Sequence, residues 1–322
     1  MKKIFKKKIS FFGKEISVFA VVVVAMIAIA SAALIPYFGL ITGHVTVGQG
    51  LLVDGKSWDA IDIIYDATFT SLEEKNVSSG NYELKNTADV VGVVKLVTTC
   101  KDSSEVDCDE HVIITPIFKL SITGDTTIAG QGGSTDQDRV TANGGAIDLS
   151  SITNLNFAYE LTTTTNGLSP YFVLGLDTDN DGVANYNAVS FQENGATANV
   201  WHTHNGVNNQ IWHVVTPTGV TDLATGTFEE VKTKYTSAKI VQVKVMIGFW
   251  GDAHPTTALV KDITMNTVDV VESNGLIVRQ YDSTDTTDRT WGDNIVDFSI
   301  DTYFPKMMKP DTYTITTTVN SA

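Results

Sequence analysis

Cysteine is almost missing from this chain: 322 residues hold two, Cys100 and Cys108, in CKDSSEVDC. Two thiols alone make a poor metal site. Across a polar loop that follows the strand-like VVGVVKLVTTC, their spacing suits a disulfide closing the mouth of a hairpin in an oxidising compartment, with two buried free thiols as the alternative. Positive charge is also scarce. The formal net charge is -15, and six lysines sit before residue 15 with Glu15 beside them. Without that segment 16 basic residues face 36 acidic ones, a balance of -20. Such a surface repels nucleic acid and anionic membrane and suits cationic partners or a salt-rich or metal-rich exterior. Helical spacing is absent after the N-terminus, as are H-E-x-x-H, G-x-S-x-G, the P-loop and a G-x-G-x-x-G opening a helix. No enzymatic function is expected.

What is present is β-forming. Thr, Val, Ile, Gly, Asn and Asp dominate, and short apolar alternations recur between turn signals such as DTDNDG, ENGA and KPD. This predicts an all-β chain of the sandwich or jelly-roll kind. Residues 120–271 read as a β-sandwich of their own. The flanks, 48–119 and 272–322, are each too short to bury a core alone, so one discontinuous jelly-roll domain carrying an inserted sandwich is expected.

The first 32 residues combine a basic n-region, the apolar run VFAVVVVAMIAIA and small residues at Ala30-Ser31-Ala32, the order of a cleaved export signal. The apolar run continues through Leu34 and Ile35, so an uncleaved anchor helix stays open, with membrane contact through this segment alone. Either way the rest is placed outside the cell. Directly after it, residues 33–47 end in a strand with Ile41, Gly43, Val45 and Val47 on one face and Thr42, His44 and Thr46 on the other. Asn76-Val77-Ser78 is an N-x-S acceptor for glycan at Asn76.

The leader, the strand after it, the run NYELKNTADVVGVVKL with Tyr82, Leu84, Asn86, Thr87 and Val94, and the ending KPDTYTITTTV with Pro310, Thr312, Tyr313, Ile315 and Val319 together resemble the TasA/camelysin family and related archaeal bundling-pilus and thread subunits. Asp311 stands where the family ending has glycine. The resemblance covers the flanks and implies a jelly roll that polymerises head to tail, each copy donating its N-terminal strand to the next. Asn86 would then mark a turn within its strand. Ile41, Gly43, Val45 and Val47 would be the donated positions, Gly43 letting the backbone pass a tight point.

Three further clusters stand out in the inserted part. Asp177, Asp179 and Asp181 alternate before Gly182, a spacing that offers oxygens to Ca²⁺, with Asn185 as an outside ligand. The twelfth position of an EF-hand would be Ala188, and a solvated turn is the alternative. His202 and His204 share one side of WHTHN, with His213 downstream; two surface-strand histidines are the simpler reading, a Zn²⁺ or Cu²⁺ site the sharper one. Trp201 and Trp212, with Trp250, fill the core or form a platform for surface glycans. The function expected is a secreted subunit of an extracellular filament, pilus or biofilm matrix. The alternative is a membrane-anchored carbohydrate-binding or adhesive surface protein.

Overall fold

The computed structural model describes residues 8–11, 14–17, 51–57, 62–87, 91–122, 137–162, 169–190, 196–208, 211–216, 222–248, 256–278, 295–306 and 308–321. The chain divides into two units, Met1–Gly48 and Gln49–Ala322. In the first, β1 (Lys8–Phe11) and β2 (Lys14–Ser17) pair antiparallel, setting Ile9 against Ile16 and Ser10 against Glu15. Polar and apolar residues alternate along β1, whereas β2 opens on two charged residues, Lys14 and Glu15, with Lys14 opposite Phe11. This ribbon occupies the basic stretch assigned to the leader. The apolar run after it, and Ile41, Gly43, Val45 and Val47, lie outside the described residues. Among the described residues no helix is long and apolar enough to cross a membrane.

The second unit is built from β3 (Leu51–Val53), β4 (Lys56–Ser57), β5 (Asp62–Thr68), β6 (Lys75–Ser78), β7 (Tyr82–Asn86), β8 (Gly92–Lys101), β9 (Ile113–Ile122), β10 (Gln137–Asp148), β11 (Leu155–Leu161), β12 (Tyr171–Asp177), β13 (Tyr186–Ser190), β14 (Trp201–Asn205), β15 (Ile211–Val215), β16 (Asp222–Thr227), β17 (Lys239–Gly248), β18 (Thr256–Met265), β19 (Val268–Asp269), β20 (Leu276–Val278), β21 (Ile295–Phe304) and β22 (Thr312–Ser321). They form two antiparallel sheets. One runs β16-β15-β13-β12-β17-β10-β20-β8-β22-β5, the other β14-β11-β18-β9-β21-β7-β3-β4, with β19 beside β18 and β6 beside β21.

Alternation explains how the sheets face each other. In LNFAYEL the residues Leu155, Phe157, Tyr159 and Leu161 are buried and their neighbours are not. In the closing strand Tyr313, Ile315 and Val319 point inward, while the intervening Thr314, Thr316 and Thr318 are partly exposed. With a two-residue period, one face of each strand enters the core and the other meets solvent. A single apolar cluster runs from Val53 and Leu84 through Phe118 and Phe298 to Phe157, Phe172 and Trp212. A second, smaller one gathers Phe69, Phe304, Tyr313 and the two cysteines.

Residues 120–271 and their flanks share both sheets. β9 pairs β18 from Phe118↔Val260 to Ile122↔Thr256, and Ala142 of β10 pairs Leu276 of β20, which pairs Val94 of β8. The expected joint at 119–120 falls inside β9, and the one at 271–272 inside the short helix Val270–Asn274.

A candidate metal site at the Asp177 turn

β12 ends on Asp177, whose side chain is only 2% exposed, and the chain then curls around its carboxylate. Oδ1 accepts the backbone N–H groups of Asp179 (3.2 Å) and Asn180 (2.7 Å), and Oδ2 that of Gly182 (2.9 Å). Asn180 (φ 66°) and Gly182 (φ 87°) supply the left-handed steps this curl requires, which glycine adopts freely. Burial opposes charge on Asp177, yet the amides of Gly182, Asn180 and Asp179 prevail and hold its carboxyl below the usual range. Asp181 in turn accepts the N–H of Val183 at 2.7 Å.

One oxygen each from Asp177, Asp179 and Asp181 lie within 4.8 Å of one another, so the triad could hold a metal ion. Asn185 has another task. Its Oδ1 accepts from the N–H (2.6 Å) and hydroxyl (3.0 Å) of Thr178, and its amide donates to Asp179 Oδ2 at 3.3 Å. It braces the turn from the side. Ala188, at the twelfth position, is buried in β13.

No other such group of three His, Cys, Asp or Glu occurs among the described residues. The three histidines sit apart in function. His202 stacks on Tyr159 at 5.4 Å and donates to Thr197 O at 2.9 Å. His204, fully buried, lies against Phe157 at 4.9 Å and Phe172 at 5.6 Å, and burial pushes its pKa down to about 4. His213 belongs to the opposite sheet, 3.3 Å from Thr225 Oγ1.

Of the two readings of Trp201 and Trp212, core filling or a shared platform, the structure gives the first to Trp212 and sets the two rings apart. Trp212 is enclosed in the core, its indole N–H donated to Gly206 O at 2.7 Å and its ring tilted on Phe228. Trp201, on the edge strand β14, is 37% exposed, with Lys261 Nζ 4.2 Å over its ring. Trp250 lies outside the described residues. Cys100 and Cys108 are joined by a disulfide, Cα atoms 5.1 Å apart. Asn76 is exposed on β6, opposite Tyr303.

Two polar residues carry roles that spacing does not reveal. Asn86, expected at a turn, is buried at the end of β7, and its amide donates to Val278 O at 2.8 Å, tying one sheet to the other. Asp138 accepts the N–H of Ser121 at 2.6 Å and of Arg139 at 2.8 Å. Burial, opposed by those two amides and aided by the charge of Asp297, pushes its carboxyl up to about 7. An Asn ending a strand, or an Asp in a polar run, looks in sequence like any turn residue. No family model matches this chain, and no curated protein or solved structure matches it.

Proposed function

We propose that this protein is an extracellular structural subunit of a filament or surface matrix, with a jelly-roll framework completed by the strand 33–47 of a neighbouring copy. The supporting observation is the margin of the two sheets. β5 pairs with β22 and β6 with β21, and neither has a second neighbour among the described residues. Ile64, midway along β5, is 58% exposed. A bare strand edge carrying an apolar side chain is a template that proteins rarely leave unused, and an added strand satisfies its backbone groups through main-chain bonds. Residues 1–32 serve as the export signal, and a disulfide accords with an oxidising exterior. Ile41, Gly43, Val45 and Val47 are the inserted positions; repeated head to tail, the contact does not close and a fibre grows.

The Asp177 turn holds Ca²⁺ as a structural ion in this reading. The support for this is the donor set: three carboxylate oxygens close enough to share one ion, the hard oxygen ligands that Ca²⁺ takes. The filament reading is tested by deleting 33–47 with export preserved. Electron microscopy of the cell surface should then show no filaments, and filaments that persist would rule out strand donation. The exposed ring of Trp201 supports the second reading, an anchored glycan-binding protein; recovery of the native chain with residues 16–35 still attached would favour it.

A further inference from the structure

A cavity of about 540 Å³ opens between the loop that follows β8 and the connection from β21 to β22. Its size lies in the range of ligand pockets. Its walls are pinned. On one side stand the Cys100–Cys108 disulfide and the bond from Cys108 N–H to Cys100 O at 2.9 Å. On the other, the Tyr313 hydroxyl donates to Lys309 O at 2.9 Å and Met308 N–H to Pro305 O at 3.1 Å. The site is therefore formed before anything enters it.

The lining has two chemistries. Cys108, Met308 and Tyr313, which are otherwise buried, give it an apolar floor, and Asp102, Asp107 and Glu110 stand around it. Asp102 is committed to the loop, accepting the N–H groups of Ser104 and Val106 at 2.9 Å each. Asp107 and Glu110 are different: among the described residues their carboxylates make no hydrogen bond or ion pair. His111 and Lys309 lie on the same rim and offset only part of this charge. Burial, then the charges of Asp311 and Asp102, push the Tyr313 phenol up, as a floor under negative potential should.

An apolar floor beneath uncommitted carboxylates fits an aliphatic stem that ends in a cation, since the stem covers the floor while the charge stays at the wet rim. We propose that this cavity receives a lysine side chain presented by a cationic polypeptide partner. The chain beyond residue 15, with its balance of -20, attracts such a partner.

The test is an NMR titration of the full chain with the blocked tripeptide Gly-Lys-Gly, its Nε-acetyl form and cadaverine. The lysine peptide should give saturable shifts at Val106, Met308 and Tyr313, and the acetylated peptide none. The double variant Asp107→Asn/Glu110→Gln should keep the wild-type melting temperature and bind at least about tenfold more weakly. Four outcomes would overturn the proposal: no saturable shift by about 10 mM peptide, equal binding of the acetylated form, undiminished binding by the double variant, or cadaverine binding as tightly as the peptide, which would make this a small-amine site.

Discussion

His204 of β14 and Ser190 of β13 meet across the core from opposite sheets, imidazole Nε2 3.4 Å from the hydroxyl oxygen. The other ring nitrogen, Nδ1, is buried without a hydrogen-bond partner among the described residues, and the flanking rings of Phe157 and Phe172 carry no charge. An imidazolium here would be poorly solvated. Because the folded pKa of about 4 lies below the ordinary 6.5, the unfolded chain takes up the proton first. Stability from this residue is full above 6.5 and drains away as pH falls toward 4, by at most about 3 kcal/mol. Urea midpoints measured across that window should fall for the wild type, and His204→Phe should remove this component.

Asp138 acts in the opposite sense. Its folded pKa of about 7 stands above the ordinary 3.8, so the fold holds a proton that the unfolded chain has released. Its contribution is complete below 3.8 and is lost as pH rises through 7. Asp138→Asn mimics the protonated form and should gain on the wild type as pH climbs from about 5 to about 8. Since the two trends oppose each other between 4 and 6.5, the single variants should display slopes of opposite sign that partly cancel in the native protein. Equal slopes in both variants would refute the assignment.

At the Asp177 turn, the backbone already provides three donors to the carboxylate, so this residue serves the loop with or without an ion. Asp177→Ala should lower the melting temperature even in chelator. Asp179→Asn/Asp181→Asn should leave the melting temperature in chelator nearly unchanged and abolish the rise on adding Ca²⁺. A rise that survives in the double variant would place the ion elsewhere.

The disulfide closes a short loop, eight residues apart in sequence, so the chain-entropy gain is modest. Replacing both cysteines by serine should cost roughly 2–3 kcal/mol. The same substitution loosens one wall of the cavity, so lysine-peptide affinity should fall with it, a coupling that the titration can read.

Trp201 and Trp212 should separate cleanly. Trp212→Ala removes a buried ring and a satisfied indole N–H and should cost about 3–5 kcal/mol. Trp201→Ala, which loses a half-exposed ring and its contact with Lys261, should cost only about 1 kcal/mol. If glycan arrays lose binding only with the Trp201 variant, the anchored-adhesin reading gains ground.

Strand content was legible because period-two alternation is local: LNFAYEL and TYTITTTV reveal their inward faces without knowledge of any neighbour. The disulfide was legible because spacing and a strand-like approach constrain it, and the curl after Asp177 because DTDNDG is turn chemistry whatever its surroundings. Burial of aromatic and imidazole side chains was not. WHTHN places one face inside and one outside, but only the partner strand β11 and the opposite β12 decide that His204 faces Phe157 and Phe172. Asn86 and Asp138 escaped for the same reason, since each bonds a residue remote in sequence or across the sheets. The cavity joins residues near 105 to residues near 308, a proximity set by β21 and β22 lying beside β9 and β8.

The two strand seams that run between 120–271 and its flanks mean that this stretch cannot be lifted out like a bead from a string. Cutting at those boundaries would split β9 along its length and strip β18 of a neighbour, baring fresh edges on both pieces. A fragment spanning 120–271 should therefore clump on its own, and the remainder should fail to close around Val94 and Phe118. Crosslinks or tags meant to report on one half will report on both, and a load applied to either will be shared across the seams as shear between neighbouring strands.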